Sequence, residues 1–285
     1  VLVRQTAPEH LDDHGWVDDE KSRAGTGFRP VAGPDEAESA RRFLLAQGWA
    51  GLAAGEHLSR LARRGVGAEQ VLWWLPGLAG EARAVAVLDQ ELLGFLLTSD
   101  DESAAARSLL DSQLPRLRQI VIPDGQVDCS GLEGFSHYRR ELTVAPEIRA
   151  PADALLPTRA GGIEDAEQIH RVYQHVSWMS REGPDEWRRR IASQPSWVAE
   201  VDGEVVAVAR WTMSFGSWVE VGGVATHPEF RRRGAATAVT VAAASAALAA
   251  GRQVALRYGD PALAPLYHPL GFEHVGRELV FQRRS

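Results

Sequence analysis

Nine residues near the middle of the chain, GFSHYRREL (134–142), return close to its end as GFEHVGREL (271–279), with Gly, Phe, His, Arg, Glu and Leu in the same places. Three further stretches repeat in the same order. FRPVAGPDEAESARRFL, from Phe28, and LPTRAGGIEDAEQIHRVY, from Leu156, each read as a short strand, a turn and a helix, the first helix N-capped from about Asp35. VAVLDQELLGFLL (85–97) and WVAEVDGEVVAVARW (197–211) each read as strand, turn, strand. Asp202-Gly203 marks a hairpin turn, because both central positions of such a turn need positive φ. RQIVI (118–122) and RQVALRY (252–258) are apolar or β-branched runs suited to buried strands. One match can arise by chance; four in one order make the chain two lobes of a single α/β fold.

VAPEIRAPADALLP, from Val144, carries three prolines and no periodicity, which sets a linker at about 145–157 and lobes over 27–150 and 151–285. Residues 1–26 are polar, acidic and unpatterned, and read as a loosely ordered tail. The lobes are unequal. From Trp211 to Arg252 is 41 residues, but from Leu97 to Arg118 only 21, so the second lobe carries a segment that the first lacks.

A chain of 285 residues is too long for one compact core and suits two domains of about 100–150 residues each. Cys129 is the only cysteine, so no intrachain disulfide forms and a reducing, cytoplasmic setting is expected. No leader pattern and no 18-residue apolar run is present, so no membrane role is expected. A net charge of −7 argues against nucleic acid as a main partner and mildly favours cationic substrates. His170, His175, His227, His268 and His274 show no metal-ligand spacing, and no metal is expected. Cys129 has no basic neighbour that would make it a nucleophile.

The segment peculiar to the second lobe is the informative one. GSWVEVGGVATHPEFRRRGAATAVTVAAASAALAAG (216–251) starts as a strand, passes His227-Pro228, and enters an alanine-rich helix near Gly234. At the junction stand Arg231, Arg232, Arg233, Gly234, Ala235 and Ala236. Free N–H groups at a helix N-terminus and the positive end of its dipole favour an anion, and the small residues let a phosphate approach the backbone. Alone, the run is also what a solvated basic turn before a surface helix looks like.

VATHPEFRRRGAA resembles the phosphate-binding stretch of the GNAT acetyltransferase family, whose signature [Gln/Arg]-x-x-Gly-x-[Gly/Ala] is met by Arg231, Gly234 and Ala236. The resemblance covers about 155–282 and, through the repeat, extends weakly to 27–144. It implies two lobes, each a mixed, mostly antiparallel sheet flanked by helices. It also implies acetyl-CoA, or another short acyl-CoA, as cosubstrate. The loop would hold the pyrophosphate, and Val224, Ala225 and Thr226 would pair with the pantetheine arm. Gly222-Gly223 fits that role physically, since paired glycines in a strand mark a bulge that frees N–H groups for the thioester.

Acyl transfer needs a neutral amine and a proton for the departing thiolate. Tyr267, in PLYHPLGF, matches the family tyrosine that stands four residues before Gly-Phe and donates that proton; a core tyrosine is the plainer alternative. Glu220, eleven residues before Arg231, stands where several members carry a base. Strand alternation puts it on one face with Trp218, where partial desolvation would make it more basic; a solvent-facing glutamate is the alternative. Asp260 takes the place of an asparagine that contacts the cofactor arm in the family, although as N-cap before Pro261 it is accounted for structurally. Pro265 predicts a short or kinked helix under Tyr267. Trp178 and Trp187 fall where the family roofs its acceptor pocket, with packing the plainer role.

At the equivalent place the first lobe has Thr98-Ser-Asp-Asp-Glu-Ser103, three acids that would repel a pyrophosphate. That lobe is expected to wall the acceptor pocket of the other. The expectation is therefore an N-acyltransferase acting on a small-molecule or peptide amine through a ternary complex, as a monomer or homodimer. A non-catalytic acyl-CoA sensor of the same fold is the alternative.

Overall fold

The computed structural model describes residues 27–63, 65–67, 71–77, 79–89, 92–97, 102–151, 156–176, 179 and 182–284. The expected tail over 1–26, Trp178 and positions 98–101 lie outside the described residues.

The first half runs β1 (Arg29–Pro30), α1 (Pro34–Ala46), α2 (Leu52–Ala62), β2 (Leu72–Pro76), β3 (Ala82–Asp89), β4 (Leu92–Leu97), α3 (Ser103–Gln113), β5 (Gln119–Pro123) and β6 (Phe135–Ala145). The second half repeats that order as β7 (Thr158–Ala160), α4 (Ala166–Tyr173), α5 (Pro184–Ser193), β8 (Ser196–Val201), β9 (Glu204–Phe215), β10 (Trp218–Thr226), α6 (Ala235–Ala249), β11 (Gln253–Tyr258) and β12 (Glu273–Arg283). A short helix, α7 (Ala264–Tyr267), precedes β12.

Two expectations change. The hairpin β3–β4 corresponds by position in the sheet to β9–β10, not to β8–β9, because alternating apolar strands look alike wherever a turn joins them. The first half therefore lacks no segment: β4 leads into α3 as β10 leads into α6. Helix α1 starts at Pro34 with Gly33 as N-cap and no side-chain cap, and Glu36 accepts the Ala32 N–H at 2.7 Å. The hairpin turn stands as read, with Asp202 at φ 51° and Gly203 at φ 80°.

Among the described residues, twelve strands form one sheet in the order β1-β2-β3-β4-β5-β12-β6-β11-β10-β9-β8-β7. Pairing is antiparallel except at β4–β5 and β10–β11. The two copies of the repeated nonapeptide lie in neighbouring central strands, but crossed. Strand β6 of the first half pairs with β11 of the second, Val144 opposite Ala255, and β12 of the second half pairs with β5 of the first, Leu279 opposite Ile122.

Helix α6 covers one face of the second half over a core of Val219, Val221, Val239, Val254, Leu256, Tyr267 and Phe272. On the other face, α4 and α5 bury Ile169, Val172, Trp187 and Val208. Beside them on that face sit α1 and α2 of the first half, whose core of Phe43, Leu44, Leu52 and Trp74 also takes in Phe215 and Ala255. Gly55 permits this docking: a Cβ there would stand 2.2 Å from the Phe215 ring. Removing a phenylalanine side chain from water contributes about 1.5–3 kcal/mol, so Phe215 is a substantial anchor between the halves.

Candidate active site

The site starts where two strands part. β10 and β11 run parallel from Trp218 opposite Gln253 to Glu220 opposite Ala255, and pair no further. β10 continues against β9 as far as Thr226 opposite Ala207, with register shifts between Glu220 and Val221 and between Gly222 and Ala225. Gly223 sits at φ 59°, a conformation that favours glycine. The bulge expected at Gly222-Gly223 is thus present. Because His227 N–H donates to Val206 O, alternation turns Ala225 N–H toward β9 and the Thr226 amide into the gap beside β11, while Val224 lies within the register shift. Thr226 Oγ1 and His227 Nδ1 are buried and have no hydrogen-bond partner among the described residues. Buried polar atoms are normally satisfied, so this is where a ligand would complete the pairing.

The gap leads to the basic loop. Arg232, at φ 62°, and Gly234, at φ 79°, both adopt the left-handed region, and α6 begins at Ala235. A non-glycine residue held there is strained by about 1–2 kcal/mol, a cost that clusters at ligand-binding turns. Gly234 faces open space, since a Cβ on it would meet nothing within 4 Å. Arg231, Arg232 and Arg233 are exposed and make no ion pair among the described residues; Arg231 Nε donates weakly to Thr226 O at 3.4 Å, and Arg233 lies over Phe230 at 5.4 Å. Ala235 is buried and Ala236 half-buried, anchoring the helix start beneath the loop.

Tyr267 and Glu220 lie on opposite faces of the sheet with the gap between them. Tyr267 belongs to the core under α6, its ring 5.4 Å from Tyr258 and 6.1 Å from Phe272. Burial, reinforced by Tyr258, pushes its phenol up to about 12, which keeps the proton on the oxygen. Pro265 has the expected effect: α7 spans only Ala264–Tyr267 between two 3₁₀ turns. Asp260 accepts the Ala262 N–H at 2.9 Å and is a helix cap as read.

Glu220 is buried on the α1–α2 face, but it is not merely desolvated. Its Oε2 accepts from Arg257 Nε at 2.5 Å, and its Oε1 from Thr212 Oγ1 at 2.7 Å. Arg257 also reaches Glu278 at 3.4 Å, and Glu278 in turn pairs with Arg140 of β6. Burial would lower the pKa of Arg257, but Glu220 and Glu278 outweigh it and hold the guanidinium above its ordinary range. A shallow, open pocket lies over this network, lined by Trp49, Ala50, Ala53 and Thr143 of the first half and by Arg257 and Glu278. Leu142, Ala255 and Leu256 complete it.

Sequence reasoning missed Arg257, Glu278, Arg140 and the Trp49 wall, along with a polar cluster behind the bulge. There Tyr173 Oη donates to Gly223 O at 2.5 Å, and buried Arg210 donates to Tyr173 Oη at 3.3 Å. A lone charge inside an apolar strand, as in VVAVARW and QVALRY, was the available signal. Trp187 is fully buried, stacked on Tyr173 at 4.2 Å, and is a packing residue. Of the three acids expected to repel phosphate in the first half, Asp100 and Asp101 lie outside the described residues. Glu102 is buried and paired with Arg83 at 2.5 Å, so it faces inward. Cys129 is half-buried, and burial, then Asp128, pushes its thiol up. Among the described residues no group of three His, Cys, Asp or Glu could hold a metal ion, and no helix is long and apolar enough to cross a membrane.

Comparison with curated proteins gives no match. Among solved structures, the fold resembles that of a Drosophila protein (TM-score 0.59, 12% identity, 90% of this chain and 99% of that one). It also resembles a GCN5-related N-acetyltransferase from Sphaerobacter thermophilus (TM-score 0.57, 15% identity, 90% and 96%). A third, from Kribbella flavida and of the same description, has a TM-score of 0.51 at 18% identity, over 71% of this chain and 87% of that one. At such identities the likeness is one of fold. The sequence model of the Acetyltransferase (GNAT) family matches residues 163–272, a span that holds the bulge, the basic loop and Tyr267. Through this C-terminal half, the chain is similar to the GNAT acetyltransferase family.

Proposed function

We propose that the protein transfers an acetyl or other short acyl group from acyl-CoA to the primary amine of a small molecule or peptide. The observation that carries this reading is the parting of β10 and β11 beyond Glu220, which opens a gap leading to the exposed basic loop at the start of α6. The loop N–H groups and the guanidinium groups of Arg231, Arg232 and Arg233 suit a pyrophosphate. The Thr226 amide and the bulged backbone at Val224 suit an amide-bearing arm, and the orphaned Thr226 hydroxyl offers a further contact. Asp260, whose side chain is engaged as a cap, is given only a secondary contact in this reading.

The amine nitrogen attacks the thioester carbonyl; a C–N bond forms, the C–S bond breaks, and the amine sheds a proton. At pH 7 an amine of pKa about 10 is almost wholly protonated, so a proton acceptor beside it raises the reactive fraction. Glu220 Oε1, beside Gly222 and bonded by Thr212, serves that purpose with its remaining lone pair. The bulge amides are placed to stabilise the oxyanion. Tyr267, still protonated, supplies a proton to the thiolate from the opposite face.

Thermal unfolding with and without acetyl-CoA tests this reading, with Gly234→Asp as control. Ligand at 100 times its Kd adds about 2.7 kcal/mol. A rise in the wild-type midpoint that the folded control lacks supports it, followed by turnover across an amine panel. Binding without turnover of any amine would favour a sensor, which the engagement of Glu220 by Arg257 would suit.

A further inference from the structure

Arg210 is a buried charge that makes no ion pair among the described residues; the carboxylate acting on its partner Tyr173 is Glu182, which pairs with Arg190. It sits on β9 opposite Gly222, with 2% of its surface exposed. Its hydrogen-bond partners are neutral: Nε donates to Tyr173 Oη at 3.3 Å and Nη1 to Gln194 Oε1 at 2.8 Å. The ring of Trp187 lies 4.9 Å from the guanidinium carbon and that of Tyr173 5.7 Å. Among the described residues Nη2 donates to nothing. The other deeply placed arginine on this face, Arg257, has two carboxylates. Aromatic rings offset part of the cost of burying a cation, but a buried charge is normally paired with its opposite.

The position of that unpaired donor is informative. A Cβ on Gly223 would stand 3.3 Å from Arg210 Nη2, and a Cβ on Gly222 would stand 3.3 Å from Glu220 Oε1. Consecutive glycines of one bulge are therefore flanked by an unpaired cation and by the oxygen that retains a lone pair. A ligand carrying both an amine and a carboxylate suits this pair of opposite charges, with its amine toward Glu220 and its carboxylate toward Arg210.

We propose that Arg210 receives a carboxylate beside the reacting centre, and that the acceptors of this enzyme are amino acids. The proposal rests on the acyltransferase reading above. The same carboxylate could instead arrive on the acyl group, as in a dicarboxylic acyl-CoA, and the experiment separates the two sources. Gln194 and Tyr173 hold the guanidinium plane, so its fork geometry is set before the ligand enters.

The test is kcat/KM of the full chain with acetyl-CoA for each standard amino acid, its amide and its decarboxylated amine, and with succinyl-CoA against acetyl-CoA for one amine. A charge-assisted pair predicts a preference of about 10- to 100-fold for the best amino acid over both its analogues. That ratio should fall toward one in Arg210→Gln and only part of the way in Arg210→Lys. An equal preference for succinyl-CoA, lost in the same variants, keeps Arg210 as the carboxylate site but assigns the carboxylate to the acyl group and overturns the amino-acid acceptor. If the variants do not fold, competition by an N-acetyl amino acid against its amide in the wild type decides: the acid must inhibit at least about tenfold better. Turnover with none of these preferences overturns the proposal and leaves the acyltransferase standing. No midpoint rise with acetyl-CoA and no turnover overturns both.

Discussion

Glu220 and Arg257 meet at 2.5 Å, Oε2 to Nε, at the last paired position before β10 and β11 separate. The pair is buried, and Glu278 extends it. Replacing Arg257 by Met strands the Glu220 carboxylate in the interior and leaves Glu278 to Arg140 alone, which should cost about 3–5 kcal/mol in urea unfolding. Glu220→Gln leaves Arg257 with Glu278, so the stability loss should be smaller. Its kcat, however, should fall by about 10²–10⁴ if Oε1 takes the amine proton. Equal kcat in Glu220→Gln and wild type would remove Glu220 from the chemistry.

Tyr267→Phe removes the proton donor and leaves the ring. Turnover should fall about 10²-fold or more, with the acetyl-CoA-dependent rise in midpoint retained. Stability gives a second readout. The phenol is raised from 10.0 to about 12 on folding, so its contribution is complete below pH 10 and is lost as pH rises through 12. The stability difference between wild type and Tyr267→Phe should shift against the wild type across that window.

Gly55→Val places a side chain inside the Phe215 ring and must lift α2 from β9. A destabilisation of about 1–3 kcal/mol is expected. Because Trp49 and Ala53 travel with α2, the KM for the amine should rise while acetyl-CoA binding holds. Adding Phe215→Ala should recover part of the loss of Gly55→Val, which a non-interacting pair would not show.

Asp165 takes two bonds of 2.7 Å from Arg159 and a third from Gly162 N–H. Arg159 holds its carboxyl below the ordinary aspartate range, against the opposing effect of burial. A depressed pKa contributes stability above about pH 4 that disappears as pH falls through the folded value. Asp165→Asn should cost about 1–3 kcal/mol at pH 7, and the difference should close on acidification below pH 4.

What the sequence disclosed was local. Asp202-Gly203, the Gly222-Gly223 bulge and the turn at Gly234 each depend on backbone conformations that few residues adopt, so their identity reveals them. Alternation likewise placed Glu220 and Trp218 on one face. Arg257, Arg210 and Trp49 were illegible as site residues because each meets the site through strand pairing or docking of distant elements. The hairpin match slipped by one strand for the same reason: period two carries no address. The crossing of β6 and β12 was hidden by the repeat itself, since two near-identical strands give no reason to prefer either neighbour.

That crossing has a consequence for how the chain is made. During synthesis the first half emerges with β5 already formed in sequence but without its neighbour, because the residue facing Gln119 is Gln282, at the far end of the chain. Until β12 has been made, β5 offers a bare edge to anything nearby, and β6 must wait for β11. A truncated message would therefore yield not half an enzyme but a sticky fragment. The last strand of the chain, β12, thus decides whether the first half can close its edge.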